Sequence, residues 1–179
     1  MDQALRRFQL RARTAHAHAV VDAAVGAFDD IVGYGRYLSA MYRFRTPIER
    51  DLERFVWPAT IGEWRPRRVS AAIAADLRDL CLAVPRLADA RPLSGDTLMG
   101  TLYVLEGSIL GAQLLFRRAQ LLGLSASHGA RHLALQSDGI EEWRGFLALL
   151  EAAEPFDIDR ATAASLATFA AAESAFQKA

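Results

Sequence analysis

The sequence predicts an all-α protein in which helices wrap around one long apolar helix. Apolar residues recur with a period near 3.6 along most of the 179-residue chain, the spacing that gives a helix one apolar face. Nowhere do β-branched residues alternate with polar ones between turn signals, as a half-buried strand requires. Because 52% of the residues are hydrophobic, the chain can bury one substantial core, and residues 1–179 are expected to form a single domain.

Two helices are expected in the first quarter of the chain. The first covers residues 4–28, where Leu10 and Val21 belong to one apolar side. Gly33 and Gly35 interrupt the pattern near the start of the second helix.

A start signal at Thr46 predicts a further helix. Thr46 and Glu49 have the spacing of a capping box, and Pro47 occupies the first helical position, where proline is favoured. This third helix should end near residue 57, and a fourth should cover residues 70–84.

The longest apolar segment, residues 96–122, predicts the central helix. At 1.5 Å per residue it is roughly 40 Å long, enough to cross the middle of the domain. Asp138 and Glu141 resemble another capping box that opens a sixth helix, and the last helix should begin near Asp159. Seven helices are therefore expected.

The composition argues against several classes of function. The 21 Lys and Arg residues balance 21 Asp and Glu residues, so no positive field favours nucleic acid or an anionic membrane surface. No run of about 18 uncharged apolar residues predicts a membrane span, and the amino terminus lacks the apolar segment of a secretory signal. We therefore expect a cytoplasmic protein. Cys81 is the only cysteine, and we expect it to be a small buried apolar residue.

Two histidines of the first helix, His16 and His18, point about 200° apart, because each residue turns a helix by roughly 100°. His18 shares its face with Thr14, four residues earlier, and with Asp22, four residues later. We therefore expect His18 to face the interior and His16 to face solvent.

The pair of His18 and Asp22 has the arrangement that orients metal-binding histidines: the carboxylate accepts Nδ1–H, and Nε2 is left to face a metal. Arg11 lies two turns from the histidine on the same side, where it could reach an anionic group about 10 Å from the metal, as far as a porphyrin propionate. The alternative is a histidine satisfied by Asp22 at the edge of the core, with Arg11 in solvent.

Small residues form a second candidate surface, on the central helix. Gly107 and Gly111 are one turn apart, and glycine inside a helix costs about 1 kcal/mol relative to alanine. With Ser108 and Ala112 they make a stripe without bulk, and Tyr103 lies one turn before it on the same side. Such a stripe accommodates either a neighbouring helix or a planar macrocycle.

Other metal sites are not favoured. A di-iron bundle needs Glu-x-x-His pairs on two helices, and the sequence contains none. His128 and His132 are four residues apart, but Gly129 between them argues against a helical metal pair, so both are expected at the surface.

Together these segments resemble the heme oxygenase family, particularly the compact bacterial branch that releases biliverdin. The match rests on residues 14–22 and on LYVLEGSILGAQLLFRR at 102–118. The resemblance implies a heme oxygenase-like helical bundle in which His18 is the axial ligand of the heme iron. It also implies that Arg11, where many members have lysine, and Tyr103 contact the heme propionates.

The resemblance assigns the opposite, distal face of the heme to the central helix. Gly107 and Gly111 correspond to the glycines around which that helix bends, and Ser108 stands where animal members carry an aspartate. Ala112 replaces a second adjacent glycine of many relatives, so the distal pocket should be tighter by one methyl group. Weaker agreement extends to Phe169. The cofactor-binding set is therefore expected to include Arg11, Thr14, His18, Asp22, Tyr103, Ala112 and Phe169.

By this resemblance the protein opens the heme macrocycle to biliverdin, carbon monoxide and ferrous iron, with heme as both substrate and cofactor and dioxygen as co-substrate. Electrons must come from an external ferredoxin, flavodoxin or reductase, because the sequence has no flavin or nicotinamide fingerprint. Two alternatives stay open: a heme-binding carrier or sensor without turnover, and a helical interaction domain without a cofactor.

Overall fold

Helices make up the regular structure of the chain in a computed structural model, which describes residues 5–87 and 93–178. The eight α-helices of these residues are α1 (Arg6–Val25), α2 (Ile31–Arg54), α3 (Ser70–Asp79), α4 (Gly95–Gly107), α5 (Ile109–Leu121), α6 (Arg131–Ser137), α7 (Ile140–Ala152) and α8 (Ile158–Gln177). A short 3-10 turn, Ala59–Ile61, lies between α2 and α3, and the described residues contain no strand. The predicted all-α fold is confirmed.

Two clusters of buried apolar side chains hold the helices together. The first lies mainly among α2, α3, α5 and α6, and the second mainly among α1, α4, α7 and α8. Fully buried members of the first are Tyr34, Leu38, Ile73, Leu77 and Leu133, and of the second Leu10, Leu102, Phe146 and Leu150. Burial of each such aliphatic side chain contributes roughly 1.5–3 kcal/mol of hydrophobic free energy. The first cluster therefore holds α5 in place, and the second holds α4.

α4 and α5 replace the single central helix that the sequence predicted. α4 ends at Gly107 and α5 begins at Ile109, and Ser108 between them has φ −71° and ψ −6°. α4 packs closely on α8, whereas α5 packs on α6. The chain therefore changes packing partners at the break at Ser108.

A glycine permits the close packing of α4 on α8. A Cβ atom at Gly100 would clash with the carbonyl oxygen of Ala161 and would lie 2.7 Å from Cβ of Ala164. Ser165 reinforces the contact, because its hydroxyl donates to the Gly100 carbonyl at 3.0 Å. A residue without a side chain is what lets these two helix backbones approach so closely.

The segment Thr97–Leu121 is long and apolar enough to cross a membrane by length and composition, with a mean hydropathy of 1.3. Core helices of soluble proteins meet the same test. Here 53% of the apolar window is buried inside the protein, and α4 packs on α7 and α8. Its place at the centre of the bundle therefore accounts for its hydropathy.

α2 is one continuous helix, so the prediction of a third helix that begins at Thr46 is wrong. Pro47 lies inside α2, and the Thr46 hydroxyl has no hydrogen-bond partner among the described residues. Glu49 does not cap a helix start: its carboxylate accepts from Nε of Arg45 at 2.9 Å and from the backbone N–H of Val69 at 3.1 Å. This buried ion pair spans the proline and holds the turns on both sides of it.

His132 is buried in α6, which corrects the prediction that it lies at the surface. Its side chain is 0% exposed, and Nδ1 lies 2.8 Å from Oδ2 of Asp76, a fully buried carboxylate. Nε2 lies 3.3 Å from the hydroxyl of Tyr37. Although burial opposes ionisation of the carboxyl, the hydrogen bonds from His132 keep the pKa of Asp76 below its usual value. His128 is exposed, as predicted.

Cys81 is exposed, in contrast to its predicted buried position. It follows the last turn of α3 with φ +54°, a conformation in which helices commonly end. The N–H of Leu82 then bonds to the carbonyl of Leu77 at 2.9 Å. The geometry of the helix end, rather than the apolar neighbours in sequence, determines the exposure of this thiol.

Candidate functional site

His18 and Asp22 form a pair on α1. Nδ1 of His18 lies 3.0 Å from Oδ2 of Asp22, one turn later. The pair fixes the imidazole plane and leaves Nε2 directed away from the carboxylate, as in histidines that ligate metals. The His18 side chain is 58% exposed, so the expectation that it faces the interior is corrected: it lies on an open face of α1. His16 is exposed, as predicted.

Phe169 of α8 lies against this histidine. The two ring centroids are 5.7 Å apart, and the rings meet edge to face at 83°. Phe169 is itself buried, because α8 packs on both α1 and α4. The fold thus brings together His18 and Phe169 from opposite ends of the chain, and α8 limits the orientations that the imidazole can take.

Arg11, Thr14 and Tyr103 come together where α1 approaches α4. Thr14 is buried, and its hydroxyl donates to the carbonyl of Leu10 at 2.8 Å. Burial raises the pKa of Tyr103, while the side chain of Thr14 and the positive charge of Arg11 act in the opposite direction. Arg11 is exposed and forms no ion pair with the described residues. The group therefore presents an exposed guanidinium beside a phenol, an arrangement that suits a carboxylate ligand.

Two contacts connect α1 with the central segment, which is formed by α4 and α5, and we call the region between these two segments the α1/α4 cleft. At one end Thr14 and Tyr103 meet, and at the other Nη1 of Arg118 lies 3.4 Å from the carbonyl oxygen of Gly26. The two segments therefore run side by side in the same direction. On α1 His18 follows Thr14 by one turn, and on α4 Gly107 follows Tyr103 by one turn. α1 packs closely on α7 and α8, and the side chain of His18 on α1 is 58% exposed.

The two glycines of the central segment have different surroundings. A Cβ atom at Gly111 would meet nothing within 4 Å, and the residue is exposed. At Gly107 the nearest neighbour of such an atom is Cη2 of Trp143, at 3.6 Å. Trp143 in turn lies beside Tyr103, with ring centroids 6.1 Å apart. Gly111 therefore leaves room for a flat ligand, and Gly107 packs on an aromatic ring that the sequence did not place there.

Ser108 and Ala112 do not share this open surface, which corrects the predicted stripe of four small residues. The Ser108 hydroxyl donates to the carbonyl of Leu105 at 2.7 Å and accepts from Nε2 of Gln136 at 2.9 Å. Ala112 is 3% exposed and belongs to the apolar cluster around α2, α3, α5 and α6. The reason is helix geometry: each of them follows a glycine by one residue, about 100° further around the helix, and so faces away from the side on which the glycine lies.

Glu106 and Arg67 are candidates that sequence reasoning did not single out. Glu106 is 2% exposed, and its Oε1 accepts the backbone N–H of Arg67 at 3.3 Å. Oε2 of Glu106 and Nε of Arg67 have no hydrogen-bond partner among the described residues. Burial raises the pKa of Glu106 to about 7, against the opposing charge of Arg45. The available signal was a carboxylate in the middle of the longest apolar segment, next to Gly107.

Proteins of known function match this chain over most of its length. Over 166 residues it is 33% identical to Heme oxygenase PigA of Pseudomonas aeruginosa, a match that covers 85% of this chain and 80% of the relative. Over 118 residues it is 28% identical to a heme oxygenase of Xanthomonas campestris, which covers 66% of this chain and 72% of the relative. No family profile matches the sequence.

The fold is similar to the crystal structure of NO- and CO-bound heme oxygenase from Neisseria meningitidis. The TM-score is 0.76 at 26% identity, and the similarity covers 98% of this chain and 92% of the other. The helical fold and these relatives define an oxygen-dependent enzyme that degrades heme. The chain belongs to the heme oxygenase family.

Proposed function

We propose that this chain binds heme in the α1/α4 cleft and opens it to biliverdin, carbon monoxide and ferrous iron, with dioxygen as co-substrate. Electrons come from an external donor such as a ferredoxin, a flavodoxin or a reductase. Residues 1–179 act as one heme oxygenase-like domain in the cytoplasm. The observation that supports this best is the His18 and Asp22 pair, which lies on an exposed part of α1 one turn after the place where Thr14 meets Tyr103.

His18 is the proposed axial ligand of the heme iron. Asp22 accepts Nδ1–H, so the neutral imidazole has its lone pair on Nε2. Nε2 has no hydrogen-bond partner among the described residues, so ligation breaks no existing contact. Phe169 restricts rotation of the imidazole ring from the side of α8. Bound heme supplies the iron that takes up dioxygen and the ring that is oxidised.

Arg11 and Tyr103 are the proposed partners of a heme propionate. The guanidinium of Arg11 is unpaired in the described part of the chain and can form charge-assisted hydrogen bonds to a carboxylate. The ordinary pKa of a tyrosine is about 10, and burial raises the pKa of Tyr103 further, so its hydroxyl is a donor at neutral pH. Thr14, buried between them, keeps the phenol close to α1. Together they select which edge of the ring lies at this end of the cleft.

Gly107 and Gly111 are the proposed distal surface. Without side chains, their backbone can approach the ring and a ligand bound on it closely. Gly111 has the free space for such an approach, since among the described residues no neighbour outside its own helix lies within 4 Å of the place where its Cβ would be. Ser108 contributes by holding the helix break between them, and Ala112 supports the surface from the core.

Heme titration of the wild type and of His18→Ala tests this proposal. The wild type should show the Soret band of histidine-ligated heme, and with a reductant and dioxygen that band should give way to biliverdin absorption. His18→Ala should take up heme weakly, lose the histidine-type spectrum and lose nearly all turnover, because it lacks the axial ligand. His16→Ala is the matched control, since His16 is exposed on the same helix, and it should behave as the wild type.

Two results would replace the proposal by one of the alternatives. A stable ferrous or dioxygen complex that yields no biliverdin identifies a heme carrier or sensor. Absence of a Soret band in the wild type, with no effect of His18→Ala, identifies a helical interaction domain without a cofactor.

A further inference from the structure

We propose that Gln136 is a positioning residue for the heme reaction: it holds Ser108, and Ser108 fixes the break between α4 and α5. The inference rests on the proposed function of the α1/α4 cleft. Gln136 lies on α6, outside the residues assigned to the heme, and it is 5% exposed. A buried amide of this kind needs a partner, and the one it has belongs to the central segment.

A directional chain of hydrogen bonds connects the three groups. Nε2 of Gln136 donates to Oγ of Ser108 at 2.9 Å, and the same hydroxyl donates to the Leu105 carbonyl oxygen at 2.7 Å. A serine hydroxyl has one proton, and here Leu105 receives it. Ser108 therefore has no proton left for a ligand in the cleft, and its hydroxyl instead connects α6 to the last turn of α4.

The chain of hydrogen bonds ends on a carbonyl group in the last turn of α4. Carbonyl groups in the last turn of a helix lack helical donors and require others. The Leu105 carbonyl also accepts a hydrogen bond from Nη1 of Arg45 at 3.3 Å. Arg45 is held in turn by Glu49, whose Oε1 accepts from Nε of Arg45 at 2.9 Å. The break is thus braced from α6 and from α2 at once.

The brace lies between the two glycines of the proposed distal surface. Gly107 directly precedes Ser108, and Gly111 follows it by three residues. The orientation of α5 relative to α4 therefore determines where the backbone at Gly111 stands with respect to Gly107. Loss of the Gln136 amide should let α5 adopt a range of orientations. The effect should appear on the distal side of bound heme and leave the His18 side unchanged.

Gln136→Met and Gln113→Met make a matched pair of variants. Methionine has a similar length to glutamine but no donor. Gln113 is exposed and donates to the Ser137 carbonyl at 3.3 Å, a contact between the α5 and α6 segments that does not involve the break. In the ligand-free protein, amide hydrogen exchange over residues 105–112 should become about fivefold faster in Gln136→Met, as for the loss of one net hydrogen bond. It should be unchanged in Gln113→Met.

The carbon monoxide stretch of the ferrous complex supplies a second measurement, because it reports on the distal surroundings. It should broaden and shift in Gln136→Met, while the Soret position of the ferric, histidine-ligated form stays at the wild-type value. Ser108→Ala should have the same two effects. The double variant should equal either single one, since the two residues act through one contact.

Three outcomes would overturn the inference: wild-type exchange in Gln136→Met, an unchanged carbon monoxide stretch, or effects of Gln136→Met and Ser108→Ala that add. If Gln136→Met does not fold, the same two measurements can be made on Ser108→Ala. Wild-type exchange or a wild-type carbon monoxide stretch in Ser108→Ala would also overturn the inference. Failure of the proposed function can be told apart from failure of this inference. If the proposed function is wrong, even the wild type takes up no heme. Hydrogen exchange in the ligand-free protein still tests the role of Gln136 in that case.

Discussion

Gly100 and Gly111 are eleven residues apart, three helical turns, and yet have opposite surroundings. A Cβ atom at Gly100 would clash with the Ala161 carbonyl oxygen on α8, whereas at Gly111 such an atom would meet no described neighbour outside its own helix within 4 Å. An eleven-residue step brings two residues of one helix to nearly the same face, so the difference reflects the different packing partners of α4 and α5. The break at Ser108 therefore separates a glycine that serves packing from one that leaves space for a ligand.

Gly100→Ala should destabilise the fold. The new methyl group would overlap the Ala161 carbonyl and crowd Cβ of Ala164 at 2.7 Å, so α4 and α8 must separate. We expect a loss of about 3 kcal/mol in the free energy of unfolding, measured by urea denaturation followed by circular dichroism. Gly95→Ala is the control, because a Cβ there meets nothing within 4 Å. Equal midpoints for the two variants would contradict the close approach of these helices.

Gly111→Ala should separate stability from heme binding. Alanine in an exposed helix adds about 0.5–1 kcal/mol of stability over glycine, so the unfolding midpoint should rise slightly. The methyl group would enter the space that we assign to heme, and heme affinity should fall roughly tenfold. Urea denaturation of the ligand-free protein and heme titration measure the two effects. An unchanged heme affinity would place the ring elsewhere.

Asp22→Asn should lower the affinity of His18 for the heme iron and leave the free energy of unfolding nearly unchanged. The pair is exposed, at 58% and 66%, so its contribution to the free energy of unfolding is below about 1 kcal/mol. Loss of the carboxylate behind a ligating histidine commonly reduces metal affinity about 10- to 100-fold. Heme titration should show this loss, while Asp29→Asn, exposed after α1, should match the wild type. Wild-type affinity in Asp22→Asn would argue against His18 as the ligand.

Glu106→Gln should remove a pH dependence of stability. Because burial raises the pKa of Glu106 from 4.5 to about 7, the folded chain binds this proton more tightly than the unfolded chain. Its contribution to stability is fully present below pH 4.5 and is lost as the pH rises through 7. Glutamine stays neutral, so the variant should exceed the wild type at pH 8, by on the order of 2–3 kcal/mol.

Urea denaturation at pH 5 and at pH 8 checks this. The difference between Glu106→Gln and the wild type should be small at pH 5 and large at pH 8. Glu63→Gln, a change at an exposed carboxylate, should show no such difference. A Glu106→Gln variant that is less stable than the wild type at pH 8 would mean that the ionised carboxylate is well paired.

The fold class could be predicted because helical periodicity is a local property of the sequence, but two helix boundaries could not. Thr46 and Pro47 do have the local pattern of a helix start. However, α2 continues past them, because Glu49 forms a buried ion pair with Arg45 and accepts the N–H of Val69. The break at Ser108 depends on Gln136, which is distant in sequence. Tertiary contacts decided both positions.

The site was predictable to the extent that its residues share a helix turn. The spacing of His18 and Asp22 on α1 predicts their contact, which the structure has at 3.0 Å. The exposure of His18 did not follow, because it depends on how closely α1 approaches the central segment. Trp143 beside Gly107 and the burial of His132 on Asp76 likewise require the packing of α7, α6 and α3, which no short sequence pattern contains.

The exposed thiol of Cys81 gives the chain one chemical handle. Because the sequence has no other cysteine, a maleimide dye or a nitroxide attached there marks every molecule at the same turn after α3. The same sulfur can join two molecules in air-saturated buffer, so preparations without a reductant should show a band of twice the monomer mass on a non-reducing gel.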